Sequence, residues 1–342
     1  MRVAMYYKNK DVRLEEMPVP KIGPGEILMK VTSSGLCGSD VMEWYRAKKS
    51  PLVLGHEVAG EVVEVGDGVT RLKSGDRIAA AHHVPCNTCY YCLNNHHTAC
   101  DTLRSTSFDP GGFSEYLRLP AINVDRGTFI VPDNVSDDDA TFHEPIGCVL
   151  RALRIASLKP GQSVLVLGGG ISGLLTVLLA RSQGAGRILV VEPNEYRRIA
   201  AEKFGADLAV VPSESVKQRF ADLNNGRLAD LVMVCTGAEA AQNLALQSVE
   251  RGGAVLFFAL TGPGVTIPVS INDFFSRNDV TLTTSYGAAP LDSSLALEML
   301  TTGILSIGDM ITHRLPLAQT QRGFELTEKA QESIKVIIHP HN

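Results

Sequence analysis

Four cysteines crowd into fifteen positions, and their spacing is the strongest chemical signal in the chain. They are Cys86, Cys89, Cys92 and Cys100, a C-x2-C-x2-C-x7-C pattern in which four thiolates can close a tetrahedron on one ion. Zinc is the favoured occupant, because the bacterial iron–sulfur pattern has its fourth cysteine after three residues and then a proline, whereas Asp101 follows here. A closed four-thiolate shell has no position for substrate, so this zinc is predicted to be structural.

A second, mixed set of ligand types predicts a metal site with an open position. Cys37 lies in GLCGSD, His56 and Glu57 lie in LGHEVAG, and Glu144 lies in FHEPIG. Sulfur, imidazole and carboxylate together leave the shell incomplete, which a catalytic zinc requires. Zinc with one thiolate and one carboxylate is neutral, and a second carboxylate would make the site negative. We therefore expect Glu57 and Glu144 to compete or alternate as ligands.

A glycine-rich turn between an apolar strand and an apolar helix predicts a dinucleotide site. Its G-x-G-x-x-G run consists of Gly168, Gly169, Gly170, Ile171, Ser172 and Gly173. Bare backbone there can approach a pyrophosphate at the helix N-terminus. Glu192 ends the next strand, where a carboxylate accepts a bond from a ribose 2′-hydroxyl and repels a 2′-phosphate. NAD is therefore favoured, although the nearby Arg197 and Arg198 keep NADP as an alternative.

Two patterns of secondary structure surround these residues. Residues 1 to about 120 alternate short β-branched runs with Gly and Pro, which predicts a mostly β half. From about Leu158 apolar strands alternate with long helical stretches, which predicts a parallel sheet covered by helices. The tail past about Ala288 is predicted to return to the first half. We expect a catalytic domain of residues 1–148 and 289–342 and a coenzyme domain of residues 149–288.

Composition argues against several classes of function. Lys and Arg number 32 against 37 Asp and Glu, and no basic run forms a stripe that could follow a nucleic-acid backbone. The first sixteen residues lack the apolar stretch of a signal peptide, and the longest nearly uncharged run is broken by glycines, so no membrane span is predicted. The crowded cysteines suit metal binding in a reducing compartment, which indicates the cytoplasm.

These motifs, in this order, resemble the zinc-containing medium-chain dehydrogenase/reductase family, and within it the sorbitol and threonine dehydrogenase branch. The resemblance covers essentially the whole chain and rests on GLCGSD, GHEVAGEVVEVG, the four-cysteine lobe, EPIGCVLRAL and the glycine-rich turn. It implies an α/β fold in which a GroES-like, mostly β catalytic domain joins a Rossmann domain with a doubly wound parallel sheet. It also implies that Cys37, His56 and Glu57 bind zinc, and that Glu144 binds it directly or through water.

The resemblance implies an NAD-dependent alcohol dehydrogenase with one catalytic and one structural zinc. Zinc would bind the substrate hydroxyl and lower its pKa, and hydride would pass to the nicotinamide. Ser39 matches the family's hydroxyl that takes the alcohol proton. The family's usual histidine three residues further on is replaced by Met42, which cannot carry a proton. Glu43, or the cofactor ribose with water, is predicted to substitute.

The substrate is the least defined part of the prediction. A polyol is slightly favoured, while sugars and hydroxy-amino acids stay open, and the pocket is predicted around Trp44, Tyr45, Phe108 and Tyr286. By the same resemblance the chain is expected to form a homodimer or homotetramer. Three other functions remain: a zinc-ribbon nucleic-acid binder, a non-catalytic protein of the same fold, and a metal-free reductase. About two zincs per chain fit the dehydrogenase, one fits a fold with only the lobe, and none fits the reductase.

Overall fold

Short strands and helices make up the described part of the chain, residues 1–213 and 215–342 of a computed structural model. The strands are β1 (Arg2–Lys8), β2 (Asp11–Glu16), β3 (Ile27–Gly35), β4 (Leu52–Val53), β5 (Glu57–Val65), β6 (Arg77–Ala81), β7 (Tyr116–Leu119), β8 (Thr128–Ile130), β9 (Val164–Leu167), β10 (Ile188–Val191), β11 (Leu208–Val210), β12 (Ala229–Val234), β13 (Val249–Phe257), β14 (Thr281–Thr284), β15 (Ile311–Pro316) and β16 (Lys335–His339).

The α-helices are mostly short. They are α1 (Glu43–Arg46), α2 (Tyr90–Leu93), α3 (Asp101–Ser105), α4 (Ala121–Arg126), α5 (Asp137–Ala140), α6 (His143–Ile155), α7 (Ile171–Ser182), α8 (Glu195–Lys203), α9 (Val216–Leu223), α10 (Glu239–Ser248), α11 (Ile271–Phe275), α12 (Pro290–Thr301) and α13 (Thr320–Lys329). Single turns of 3-10 helix cover Ala47–Lys49, His97–Ala99, Gly308–Met310 and Leu317–Gln319. Within the described residues, no helix is both long and apolar enough to cross a bilayer.

The chain folds into two compact units. The first comprises Met1–Gly147 and Ala288–Asn342, and the second comprises Cys148–Gly287. The C-terminal segment belongs to the first unit because β16 pairs with β3, a strand from the beginning of the chain. Residues far apart in sequence are thereby brought into one sheet.

The largest sheet of the first unit has the order β15-β16-β3-β5-β6-β8, and β7 also pairs with β3. All of its pairs are antiparallel except β15 with β16. The sheet buries apolar side chains from β3 and β5, among them Ile27, Met29, Val31 and Val58. A smaller sheet has the order β2-β1-β4, and its Tyr6 packs against Phe324 of α13. These sheets are the framework that holds the ends of β3 and β5.

The second unit is built on a parallel sheet with the order β11-β10-β9-β12-β13-β14. Every residue of β9 and of β10 is buried, as expected where helices cover both faces of a sheet. The strand order reverses between β9 and β12, which is the point where such sheets bind ligands beyond their carboxyl ends. This order confirms the predicted Rossmann fold with a doubly wound sheet.

Candidate active site

The four-cysteine lobe follows β6 and spans the short helices α2 and α3. The four sulfur atoms lie within 4.8 Å of one another, with separations of 3.6 Å for Cys89–Cys92 and Cys86–Cys100 and 4.0 Å for Cys86–Cys92. Sulfurs bound to one tetrahedral zinc are roughly 3.8 Å apart, because each Zn–S bond is about 2.3 Å. The donor set therefore fits a closed zinc site, with Cys92 and Cys100 buried at its centre.

Backbone amides favour the thiolate form of Cys86 and Cys100, whereas burial raises the pKa of Cys92. The N–H of Cys86 donates to the sulfur of Cys100 at 3.4 Å, and the N–H of Cys89 donates to the sulfur of Cys86 at 3.3 Å. The backbone N–H of Thr88, followed by its hydroxyl, lowers the pKa of Cys86 to about 5. Thiolates are the form that zinc binds, so the local backbone supports the metal site.

We expect that Cys92→Ser lowers the zinc content from about two to about one per chain, because three thiolates and an alcohol hold zinc poorly. The lobe should then open and be cleaved by protease within residues 85–105, since it has few apolar contacts of its own. Metal analysis and limited proteolysis measure both effects. Cys148→Ser, outside the lobe, is the control, and an unchanged zinc content in Cys92→Ser would refute a structural zinc here.

A second group of ligand types meets where β3 ends and β5 begins. The two strands pair with Gly35 opposite Glu57, so Cys37 and His56 are brought beside that pair. The ligand atoms of Cys37, His56 and Glu57 all lie within 4.8 Å of one another. Gly35 must lack a side chain, because a Cβ there would collide with the carboxylate of Glu57. Three donors around one point fit a zinc ion that keeps a fourth position for substrate.

Glu144 does not belong to this group of described residues, although the sequence suggested that it shares the metal. It is the second residue of α6, and the preceding His143 is fully buried. The group with ligand atoms within 4.8 Å contains only one of the two predicted carboxylates, that of Glu57. Exchange of Glu57 with Glu144 at the metal stays a prediction.

Asp40 orients the imidazole of His56 towards the metal position. Asp40 is fully buried, its Oδ1 lies 3.4 Å from Nδ1 of His56, and its Oδ2 accepts the N–H of Cys37 at 3.1 Å. Burial acts to lower the pKa of His56, but Asp40 and then Cys37 raise it well above its ordinary value. A positive charge is thus favoured between Asp40 and Cys37, and zinc can supply that charge in place of the proton.

A buried lysine neutralises Glu57. Lys335 at the start of β16 is completely buried, and its Nζ donates to the carboxylate of Glu57 and to the carbonyl of Leu36, the latter at 3.1 Å. The ammonium also lies 5.6 Å from the centre of the Phe142 ring. Glu57 therefore has a cationic partner even without a metal, and only part of its charge is available to zinc. The sequence analysis missed Lys335, which is far from Glu57 along the chain.

Arg46, and not Glu43, contacts the predicted catalytic hydroxyl. Nη2 of Arg46 donates to Oγ of Ser39 at 2.9 Å, and Nε donates to the carbonyl of Ser39 at 3.0 Å. The carboxylate of Glu43 instead accepts the backbone N–H of Asn9 at 2.9 Å. Among the described residues no hydrogen bond joins Glu43 to Ser39, and Met42 contributes only backbone bonds to this turn. The relay role of Glu43 stays a prediction without a supporting contact.

Two further histidines, which the sequence analysis did not identify, lie beside His56. The ring of His82 is 4.8 Å from that of His56 and 3.9 Å from that of His83, and Nδ1 of His83 is 2.6 Å from the carbonyl oxygen of Thr106. Burial lowers the pKa of His82 well below its ordinary value, and the charges of His83, His56 and Arg46 add to this effect. His82 is therefore a neutral ring next to the metal position. The sequence signal that could have identified them is the pair of adjacent histidines directly after β6.

The predicted pocket residues occupy different places. The rings of Trp44 and Tyr45 lie 5.8 Å apart on α1, next to Arg46. Phe108 is buried, with its ring 6.2 Å from that of His82, so it belongs to the same neighbourhood as the metal site. Tyr286 is about half exposed and belongs to the second unit. Their role in binding substrate stays a prediction.

The glycine-rich turn in the second unit has the backbone geometry that a pyrophosphate needs. Gly168 has a φ of +103°, and a Cβ on Gly173 would collide with the carbonyl oxygen of Gly168. α7 begins at Ile171 after Gly170, and no side chain caps it, so the N–H groups of Ile171, Ser172 and Gly173 point out of the helix end. These donors and the helix dipole fit a bound phosphate.

Glu192 lies against this turn. It is buried, its Oε2 accepts the N–H of Gly169 at 2.6 Å, and its Oε1 accepts the N–H of Asn194 at 2.9 Å. Each carboxylate oxygen can accept a further bond, as a ribose hydroxyl would require. Nη1 of Arg197 lies beside Gly170, while Arg198 donates to the carbonyls of Glu192 and Pro193. Arg197 is thus the arginine that faces the cofactor position.

Comparisons with known proteins cover both units. The profile of the alcohol dehydrogenase GroES-like domain matches residues 23–128, and that of zinc-binding dehydrogenases matches residues 172–302. The chain is 33% identical to L-threonine 3-dehydrogenase of Bacillus licheniformis over 335 residues, which are 95% of this chain and 94% of that protein. It is 30% identical to sorbitol dehydrogenase of Bacillus subtilis, covering 100% and 98% of the two chains. A zinc-binding dehydrogenase from Sinorhizobium meliloti 1021, solved with NADP, superposes with a TM-score of 0.88 at 26% identity over 99% of each chain.

Proposed function

Because the chain belongs to the zinc-containing alcohol dehydrogenase family, in the branch of the sorbitol and L-threonine dehydrogenases, we propose that it interconverts a secondary alcohol of the polyol or sugar type and its ketone with NAD(H). When bound, zinc would polarise the alcohol oxygen and the nicotinamide would accept or donate the hydride. The family and its fold are shared with the relatives. The substrate type and the preference for NAD are the proposal.

The meeting of Cys37, His56 and Glu57 within 4.8 Å carries this proposal. A fold that had kept only the structural lobe would not need a second set of mixed donors, nor a buried Asp40 that orients the histidine. A metal-free reductase would need neither. The three donors support a catalytic metal, because a four-coordinate ion held by them has one position left for substrate.

In this proposal Ser39 takes the proton of the alcohol. Its oxygen accepts a hydrogen bond from Arg46, which cannot accept a proton at neutral pH. Glu43 is engaged by the N–H of Asn9. We therefore favour the cofactor ribose with water, rather than Glu43, as the next step of proton transfer. Glu43→Gln should leave turnover and its pH profile close to those of the wild type.

We assign coenzyme binding to the second unit and expect that Glu192→Gln shifts the preference from NAD towards NADP by about 10- to 100-fold in kcat/KM. The neutral amide keeps the size of the side chain and removes the charge that repels a 2′-phosphate beside Arg197. Steady-state kinetics with both coenzymes measure the ratio. Glu195→Gln, an exposed acid on α8, is the control. An unchanged ratio in Glu192→Gln would show that Glu192 does not select the coenzyme.

L-threonine is the second candidate substrate, because the chain is 33% and 34% identical to two L-threonine 3-dehydrogenases and 30% identical to two sorbitol dehydrogenases. Both reactions oxidise a secondary alcohol, so the metal chemistry does not distinguish them. The difference must come from the side chains that surround the metal position, where an amino acid presents two charged groups and a polyol presents none.

We further propose a cytoplasmic homodimer or homotetramer. None of the seven cysteines, all of which lie in the described part of the chain, forms a disulfide, and the thiolate lobe needs a reducing compartment to stay that way. β14 is the last strand of its sheet and exposes Leu282, and Phe275 of the preceding α11 is 78% exposed. An uncovered edge with apolar side chains favours pairing with a second copy. Light scattering on the purified protein determines the assembly.

The proposed function is tested with the purified, zinc-loaded protein and a panel of alditols, diols, sugars and L-threonine, followed by NADH formation. We expect turnover of at least one secondary alcohol, and loss of that turnover on removal of zinc by a chelator. An excess of zinc should restore it. A protein that holds about two zincs per chain and binds NADH, yet oxidises no alcohol and reduces no corresponding ketone, would contradict the proposal.

A further inference from the structure

We infer that Arg46 forms a carboxylate-binding position beside the catalytic metal site, so that the substrate is a hydroxy acid whose carboxylate lies close to the reacting hydroxyl. This inference rests on the proposed oxidation of a secondary alcohol by a zinc- and NAD-dependent dehydrogenase, and within it favours a hydroxy acid over the neutral polyol. A neutral polyol would then be a poorer substrate than a related acid, such as an aldonate or a hydroxy-amino acid.

The guanidinium of Arg46 is fixed against residues that adjoin the metal ligands. It holds both the carbonyl and the hydroxyl oxygen of Ser39, and Nη2 is also 3.4 Å from Oδ1 of Asp40. The N–H of Ser39 donates to the sulfur of Cys37 at 3.4 Å, and the same Oδ1 of Asp40 is 3.4 Å from His56. Arg46 thus contacts one residue that touches Cys37 and another that touches His56, which places its charge close to the metal ligands.

Part of this guanidinium remains available to a ligand. Arginine has five N–H donors in a planar fork, and Nη1 of Arg46 has no hydrogen-bond partner among the residues that the structure describes. The side chain is 20% exposed, and the ring of Tyr45, centred 4.9 Å from its central carbon, holds it from one face. A fixed fork with unused donors suits a carboxylate, which can bind two parallel N–H groups.

The acids near Arg46 do not occupy its free N–H donors. Glu57 is paired with Lys335, and the carboxylate of Glu43, which keeps its charge, accepts the N–H of Asn9 and not a donor of Arg46. Asp40 is the acid that faces both Arg46 and His56, and it is fully buried. Zinc held by one thiolate and by a carboxylate that shares its charge with Lys335 would keep net positive charge, which an anionic substrate can offset.

A second permanent cation, Lys49, follows Arg46 closely in the chain. Burial lowers the pKa of His83 to about 4, although its hydrogen bond to Thr106 acts in the opposite direction. The positive charges of His56, Arg46 and Lys49 lower this pKa further. Lys49 is exposed in the 3-10 turn that follows α1. Hydrogen bonds between charged partners are about twice as strong as neutral ones, so the gain from a carboxylate exceeds that from another hydroxyl.

Matched substrates test the inference on the zinc-loaded protein: D-gluconate against sorbitol, and L-threonine against L-threoninamide. We expect the carboxylate member of a pair to have the higher kcat/KM by at least about 10-fold. Arg46→Gln should lower both values, because Arg46 also holds Ser39, but it should lower that of the carboxylate member at least about 10-fold more than that of the neutral member. Arg46→Lys should retain an intermediate preference, since it keeps the charge but not the fork. Lys48→Gln, in the exposed 3-10 turn that follows α1, is the control.

Equal losses for both members of a pair in Arg46→Gln, or a wild-type preference for the neutral members, would overturn the inference and leave Arg46 as a residue that only holds Ser39. Inhibition of the wild type by butyrate but not by butyramide gives a measurement that does not depend on folding of the variant, and absent or equal inhibition counts against it. Absence of turnover with any alcohol is a different outcome, because it contradicts the proposed function.

Discussion

Replacing Cys37 by serine is expected to remove about one zinc per chain and to lower kcat/KM for alcohol oxidation by at least about 1,000-fold. Cys37 supplies the only thiolate in the group formed with His56 and Glu57. A serine hydroxyl is not ionised at neutral pH and is a poor zinc ligand, so two donors would have to hold the ion. Loss of the ion removes the polarisation of the alcohol, which no other residue of this group can supply.

Metal analysis and steady-state kinetics on the same preparation check this expectation. Cys148→Ser serves as the control, because Cys148 belongs to neither group of metal ligands. The lobe should keep its zinc in Cys37→Ser, so the zinc content should fall to about one per chain rather than to none. Retention of two zincs per chain, or activity within about tenfold of the wild type, would show that Cys37 does not hold the catalytic metal.

Lys335→Met is expected to give the largest loss of stability, about 3–5 kcal/mol in the free energy of unfolding of the metal-free protein. Lys335 is completely buried, and Glu57 is 1% exposed, so removing the ammonium leaves a carboxylate without its cation in the protein interior. The carbonyl of Leu36 loses a donor as well. Bound zinc can offset part of the charge on Glu57, so the loss should be smaller in the zinc-loaded protein.

Denaturant unfolding with and without zinc measures these losses. The double variant Glu57→Gln with Lys335→Met should recover much of the stability, because neither partner is then charged. Lys329→Met, at the exposed end of α13, is the control and should change the free energy by less than about 0.5 kcal/mol. A Lys335→Met protein within about 1 kcal/mol of the wild type would contradict the idea that Glu57 depends on this lysine.

The features that could be predicted from the sequence are those that depend on residues close together along the chain. The lobe brings four cysteines together within fifteen positions, and the second unit repeats apolar strands and helices long enough for their periodicity to be read. β11 is only partly buried and β14 is largely exposed, so neither has the fully buried run that marks β9 and β10. The repeated strand–helix pattern predicted a parallel sheet covered by helices, and the doubly wound arrangement was implied by the resemblance to the family.

The residues that the sequence analysis missed have roles that depend on contacts between distant or irregular segments, and the spacing of residue types does not predict such contacts. Lys335 and Glu57 meet only because β16 returns to pair with β3, 278 positions after Glu57. Arg46 reaches Ser39 through a turn and a four-residue helix, in which a side chain's direction does not follow from sequence pattern. The same turn directs Glu43 towards Asn9, where the sequence suggested a relay. The metal ligands could be predicted from short sequence motifs. The groups that balance their charges come close to them only through the tertiary fold.

The central claim is that one ion bound by Cys37, His56 and Glu57 keeps a position for the alcohol. Cobalt substitution tests it most directly, because Co²⁺ occupies zinc sites and its visible spectrum reports both thiolate ligands and changes in coordination. We predict that cobalt at this site gives a thiolate charge-transfer band that is absent from Cys37→Ser, and that the ligand-field bands change when alcohol is added with NAD. A spectrum unchanged by Cys37→Ser and by alcohol would contradict the claim.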